Sequence, residues 1–97
     1  MDNTHFIGSG TRIQRNEQKF LASKLGEEMV MMNMETGDFV TMNSVGADIW
    51  ALTEQSMTFD ELVAQLLLTY DITTEQCREE TLQFLELSQA EHMFVFS

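Results

Sequence analysis

Few side chains in this 97-residue chain have the types and the spacing that chemistry at a site requires. His5 and His92 lie near opposite ends, and no third residue stands at metal-ligand spacing from them. Cys77 with either histidine is an equally weak nucleophilic pair, because a lone cysteine in a helix is usually a small buried thiol. The segment Gly8-Ser9-Gly10 lacks the lysine and the strand–helix setting of a phosphate loop. We therefore expect no metal, no cofactor and no enzymatic activity.

The charge of the chain is large and unevenly placed. The formal net charge is −11, and four of the five basic residues lie in the first 24 positions. From residue 25 onwards there is one basic residue, Arg78, against fourteen acidic ones. Such a surface repels phosphate backbones, so nucleic acid is excluded as a partner, and a cationic peptide or protein patch is more suitable. The alternative interpretation is that the charge only confers solubility.

Cysteine content and hydropathy point to the compartment. The single cysteine implies no disulfide framework. The first residues contain no apolar run long enough for a signal peptide, and no segment approaches the length of a membrane span. We expect a cytoplasmic protein that does not bind membranes.

The elements that would position a site begin with strands. An extended segment is predicted at residues 19–25 and a strand at residues 28–34. A tight turn at residues 35–38 follows, because Gly37 supplies the positive φ that hairpin connections need. The strand after it, residues 38–42, is short.

Three helices follow, each with a recognisable start. Asn43 can cap the first, Thr58 with Glu61 three residues on forms a capping box for the second, and Thr73 or Thr74 opens the third. Strands followed by helices indicate an α+β domain, winged-helix-like, with a three-stranded antiparallel sheet followed by a three-helix bundle. We assign residues 19–97 to this domain and residues 1–18 to a flexible N-terminal arm, with a short strand at residues 11–14 as an alternative for part of it. The apolar tail at residues 93–96 either adds a last strand or docks on the core.

The third helix has one apolar stripe and two shoulders. At 100° per residue the stripe contains Cys77, Thr81, Phe84, Leu85 and Ser88. Leu82 lies on one shoulder beside Arg78, and Leu87 lies on the other. Either both leucines pack on neighbouring elements or one of them lines a groove, and periodicity does not distinguish the shoulders.

A short exposed strand at residues 38–42 favours binding. Its unpaired N–H and C=O groups can accept an extended peptide as an added strand. The same edge could serve a homodimer, or it could be a short edge with no partner.

The run ETGDFVTMNSVGADIW at residues 35–50 resembles the signature of the PqqD-like family, with its Thr-Gly turn, short strand and Ile-Trp helix. The start of the second helix at residues 58–62, its end at Tyr70-Asp71, and Phe84-Leu85 in the last helix are also similar to that family. The resemblance covers residues 19–96. The chain departs from the family at Thr81 and Ser88, where apolar residues are usual.

The resemblance implies a function. PqqD-like proteins are non-catalytic recognition elements, or peptide chaperones, for ribosomally made and modified peptides. They bind the leader of a precursor peptide and present it to a separate enzyme, a radical-SAM protein in pyrroloquinoline quinone synthesis or a leader peptidase in lasso-peptide pathways. The leader would lie as an added strand along residues 38–42, beside the third helix. The predicted peptide-binding residues are Asp38, Phe39, Val40, Thr41, Met42, Cys77, Arg78, Thr81, Leu82 and Leu85. The alternative is a winged-helix protein–protein interaction or regulatory module with no leader peptide.

Overall fold

A computed structural model describes residues 7–26 and 28–97. Its six strands are β1 (Arg12–Arg15), β2 (Phe20–Leu25), β3 (Glu28–Asn33), β4 (Phe39–Met42), β5 (Met57–Thr58) and β6 (Phe94–Phe96). Its three helices are α1 (Ser44–Leu52), α2 (Phe59–Thr69) and α3 (Thr74–Gln89). The predicted metal-ligand candidate His5 and the first six residues of the predicted arm lie outside the described residues.

The predicted three-stranded antiparallel sheet is confirmed, with the order β2-β3-β4. Its second hairpin is fixed by Asn33, whose Oδ1 accepts from the backbone N–H of Glu35 at 2.9 Å. The Asn33 carbonyl accepts from the N–H of Gly37 at 2.7 Å, and the Asn33 N–H donates to the Asp38 carbonyl at 2.8 Å. Gly37 has φ +78°, a conformation that side chains rarely adopt. This is a G1 bulge, and it sets the register of β4 on β3.

The three predicted helix starts are confirmed by their caps. The Asn43 side chain accepts from the backbone N–H of Gly46 at 2.9 Å. Thr58 and Glu61 form the reciprocal capping box at the start of α2. The side chain of Thr73 caps α3. These bonds satisfy backbone donors that a helix leaves free in its first turn, so each helix begins where its cap stands.

The core is shared by the sheets and the helices. Residues with no exposed surface come from β1, β3, α1, α2 and α3: Ile13, Met31, Ile49, Leu62 and Leu85. α1 packs on β3 and β4, α2 packs on α1, and α3 packs on α2. This packing of helices on an antiparallel sheet confirms the α+β class. Within the described residues, no helix is long and apolar enough to cross a bilayer.

A second sheet, with the order β5-β1-β6, includes residues 12–15 of the predicted arm, where the alternative was a short strand at residues 11–14. β1 is its middle strand, Ile13 is fully buried, and Ile7 is only 8% exposed. The guanidinium of Arg15 lies 5.5 Å from the centre of the Trp50 ring. The segment shows little apolar patterning because β1 turns a single apolar side chain inwards. β1 and Ile7 therefore pack with the rest of the described chain.

The second sheet also includes the apolar segment at residues 93–96. Of the two predicted alternatives for residues 93–96, the added strand is correct, since β6 pairs antiparallel with β1. The strands consequently do not all precede the helices: β5 lies between α1 and α2, and β6 follows α3.

Candidate functional site

β4 forms the open edge of the first sheet. It pairs with β3 on one side, and no strand of the described chain pairs with its other side. The Asn33-to-Asp38 hydrogen bond fixes which residues bond inwards, because bonded and non-bonded pairs alternate in antiparallel ladders. Val40 and Met42 accordingly direct their backbone groups to β3. Phe39 and Thr41 direct theirs to the open edge.

A groove of about 290 Å³ runs between this edge and the C-terminal half of α3. It is lined by Val40, Thr41, Met42, Asn43, Phe84, Leu87, Ser88, Glu91 and Met93. The lining is mainly apolar, and among the described residues Glu91 is the only charged one in it. A strand edge beside an apolar groove offers a peptide both backbone hydrogen bonds and pockets for side chains.

The α3 wall of the groove follows from helical spacing. Phe84, Leu87 and Ser88 stand at i, i+3 and i+4, so they share one face of α3. Glu91 lies in the turn just after the helix, where its backbone N–H donates to the Ser88 carbonyl at 3.1 Å. Leu87 is 78% exposed, so most of its apolar surface is available on the groove wall. The Ser88 hydroxyl is turned back into the helix, where it donates to the Phe84 carbonyl at 2.7 Å. The groove therefore presents Leu87 rather than this hydroxyl.

Gly46 allows the Phe84 ring to form the floor of the groove. A Cβ at position 46 would lie 3.1 Å from Cε1 of Phe84, closer than ordinary contacts. The Phe84 ring also meets Phe94 edge-on, with 6.0 Å between ring centres. The missing side chain of Gly46 thus permits close packing of α1 on α3.

The structure brings three of the five predicted strand residues to the groove, namely Val40, Thr41 and Met42. Met42 is 6% exposed and closes the base, while Val40 is 40% exposed. Phe39 is 69% exposed and lies on the outer face of the sheet, in register with Met32. Asp38 stands exposed at the end of the turn.

The predicted helix residues do not line this groove. Cys77, Thr81 and Leu85 are at most 3% exposed and belong to the core. Arg78 and Leu82 line a different concavity, of about 390 Å³, on another part of the surface. Helical periodicity alone does not determine whether the shoulder of α3 with Arg78 and Leu82 or the shoulder with Leu87 faces β4.

In this second concavity, the guanidinium of Arg78 already has partners within the protein. Arg78 is ion-paired with Asp60 and donates to the Ser9 hydroxyl at 3.1 Å. Its guanidinium also lies 5.1 Å from the centre of the Phe59 ring. These contacts connect α3 to the start of α2 and to the loop before β1. Arg78 therefore has a structural role.

The comparison with protein families bears on this edge and groove. The model of the family "Coenzyme PQQ synthesis protein D (PqqD)" matches residues 28–93. The chain belongs to the PqqD family. The matched span contains β3, β4 and all three helices, and so both walls of the groove lie within the PqqD region. β1, β2 and β6 lie outside it.

Among solved structures the chain is similar to one described as "TbiB1 in Complex with the TbiA(beta) Leader Peptide". The two share 18% sequence identity with a TM-score of 0.73, over 84% of this chain and 93% of that one. The comparison with curated proteins gave no match. The likeness to TbiB1 shows that the winged-helix-like fold is shared over most of this PqqD-family chain.

Several groove residues escaped the sequence-based prediction: Phe84, Leu87, Ser88, Glu91 and Met93. The available signal was Leu87, an apolar residue outside the main stripe of α3. A second signal was Gly46, whose missing side chain makes room for Phe84. Neither signal determines which shoulder of α3 faces β4, because that depends on how α3 is rotated about its own axis.

Proposed function

We propose that this PqqD-family protein binds the leader segment of a ribosomally made precursor peptide as an added strand on β4. The observation that carries the proposal is the open edge of β4 beside an apolar groove. TbiB1, whose structure was solved in complex with a leader peptide, supports the same class of ligand.

The open edge would fix the register of the leader. The N–H and C=O groups of Phe39 and Thr41 face outwards and would pair with alternate residues of the incoming strand. Side chains of an added strand alternate between two faces. One set would enter the groove, and the other would continue the outer face of the sheet beside Phe39.

The groove would supply the affinity. Val40, Leu87 and Met93 offer apolar surface that a leader side chain would cover. Covering apolar area stabilises a complex by about 25 cal/mol per Å², before the costs of association are subtracted. Leader residues that point into the groove should therefore be apolar.

Delivery is the second half of the proposal. A leader held along one short strand leaves the rest of the precursor unbound, so a separate enzyme can act on it. The enzyme is a radical-SAM protein or a leader peptidase by family resemblance, and the whole serves the biosynthesis of a modified peptide. On this proposal the domain itself contributes binding and no catalytic step.

The test replaces the outward-facing donor of the edge. Thr41→Pro removes an N–H that does not bond β3, so the sheet keeps its ladder. With a synthetic leader of the cognate precursor peptide, fluorescence anisotropy should show at least about a tenfold loss of affinity. Thr41→Val keeps the N–H and a similar shape, and it should bind within about twofold of the wild type.

Two controls keep the outcome interpretable. Thermal unfolding of Thr41→Pro should stay close to that of the wild type. An N-methyl scan of the leader backbone leaves the protein unaltered and should weaken binding at alternate positions only. Equal binding by Thr41→Pro together with a flat N-methyl scan would contradict strand addition. If the protein forms a dimer that the leader does not dissociate, the open edge of β4 is the contact between two copies of the chain and not the leader site.

A further inference from the structure

The groove contains one feature that a purely apolar ligand would not satisfy. Glu91 is exposed, and within the part of the chain that the structure describes it is the only charged residue of the lining. Among the described residues, no lysine, arginine or histidine forms an ion pair with it, and the two arginines that do form ion pairs are held by Glu17, Glu54 and Asp60. The Glu91 carboxylate therefore faces the groove without a cationic partner from the described chain.

A peptide in the groove would change the surroundings of this carboxylate. An ionised carboxylate only accepts hydrogen bonds, and removing it from water without a compensating donor is costly. A leader residue that covers Glu91 with apolar or acidic groups would therefore weaken binding. A cationic leader residue at that point would form an ion pair with the Glu91 carboxylate. Peptides with an acidic residue there would be repelled by the same carboxylate.

The spacing along the groove places this cationic residue relative to the apolar one. Leu87 lies in the last turn of α3 and Glu91 two residues beyond its end, in a turn whose Glu91 N–H still donates to the Ser88 carbonyl. Four residues at helical rise correspond to about 6 Å. Side chains on the same face of a strand are two residues apart, about 6.6 Å. For a strand that runs along the groove, two successive inward-facing side chains would therefore meet Leu87 and Glu91.

We infer that the groove selects a leader segment in which an apolar residue, packed on Leu87, stands two positions from a lysine or arginine that pairs with Glu91. This inference rests on the proposed function and names its ligand class. The net charge of −11 acts in the same direction, since it attracts a basic segment from a distance. Glu91 would act as a specificity-determining residue.

The experiment uses a displayed library of random twelve-residue peptides, selected separately on the full chain and on its variants. The wild type should enrich peptides with an apolar residue and, two positions away, Lys or Arg. Glu91→Gln should keep the apolar preference and lose the basic one. Glu91→Lys should favour Asp or Glu at that position. Glu86→Gln is the matched control, because Glu86 is an exposed glutamate of α3 outside the groove lining, and it should select as the wild type does.

A synthetic version of the most enriched peptide gives the quantitative test. Replacing its basic residue by Gln should lower the affinity for the wild type about fivefold and leave the affinity for Glu91→Gln unchanged. Peptides without a basic preference, selected equally by the wild type and Glu91→Gln and lost with Thr41→Pro, would overturn the inference and leave the proposed function standing. No enrichment by the wild type, or enrichment unaffected by Thr41→Pro, would contradict strand addition itself.

Discussion

Leu87 is the residue whose exposure is hardest to explain without a ligand. A leucine side chain that is 78% exposed contributes little to the core, yet it stands on the groove wall between Phe84 and Glu91. Exposed leucines are common enough singly, and Leu68 on α2 is 80% exposed without lining the groove. Leu68 is therefore a control for Leu87, because the two leucines are similarly exposed and only Leu87 lines the groove.

We expect Leu87→Ser to leave folding nearly unchanged and to weaken leader binding. The free energy of unfolding should change by less than about 0.5 kcal/mol, because exposed side chains lose few contacts. The affinity for the leader should fall about tenfold, since the apolar residue of the peptide would lose its packing partner. Chemical denaturation and anisotropy titration measure the two effects, with Leu68→Ser as the control that binds normally. Equal affinities of both variants would remove Leu87 from the site.

Tyr70 reports on the contact between α1 and the end of α2. Its hydroxyl donates to Oδ2 of Asp48 at 2.6 Å. Burial and this bond to the carboxylate raise the pKa of Tyr70 above its ordinary value of 10.0. Because the folded pKa is raised, the contribution to stability is complete below pH 10.0 and is lost as the pH rises through the folded pKa.

The absorbance of tyrosinate tests this contact cleanly, because the chain contains one tyrosine. The titration midpoint of the folded protein should lie above 10.0, and Asp48→Asn should lower it. The variant removes the negative charge that disfavours tyrosinate and leaves the burial in place. A wild-type midpoint at or below 10.0, or equal midpoints in both proteins, would contradict the described contact.

At the scale of elements, β1 joins parts of the chain that are far apart in sequence. It pairs with β5 on one side and β6 on the other, and its Ile13 is fully buried. The Arg15 N–H donates to the Thr53 carbonyl at 2.9 Å, which ties the strand to the end of α1. We propose that the folded domain begins before residue 19 and includes β1.

Ile13→Ala tests this boundary. The substitution should lower the free energy of unfolding by about 2–4 kcal/mol, as truncation of a buried isoleucine does. Leu21→Ala, on a side chain that is 55% exposed, should change it by less than about 0.5 kcal/mol. Urea unfolding followed by the fluorescence of Trp50 measures both. If Ile13→Ala were as stable as Leu21→Ala, residues 12–15 would be a dispensable arm.

At the scale of the whole molecule, sequence was sufficient wherever a local interaction decides the structure. The positive φ of Gly37, the Asn43 cap and the Thr58–Glu61 capping box each act within a few residues, and all three predictions were confirmed. The family was recognisable for the same reason, since its motifs are turns and helix starts.

Packing between distant elements could not be predicted in the same way. The rotation of α3 about its own axis decides that Leu87, and not Leu82, faces β4, and helical periodicity is equal for both shoulders. The sequence left a short strand at residues 11–14 as an alternative to a mobile arm and did not reveal its pairing, because Ile13 is its only inward apolar residue and its partner strands lie about 40 and 80 positions further along the chain. The strand residues that line the groove were thus predictable, and the helix residues that line it were not.

The measurement that tests strand addition most directly is amide hydrogen exchange, read residue by residue by NMR. In the free protein, the amides of Val40 and Met42 should exchange slowly because they bond β3, while those of Phe39 and Thr41 should exchange fast. Saturating leader peptide should slow Phe39 and Thr41 and leave the other two as they are. Unchanged exchange at Phe39 and Thr41 in a saturated complex, with new protection around Arg78 and Leu82 instead, would contradict the proposed site.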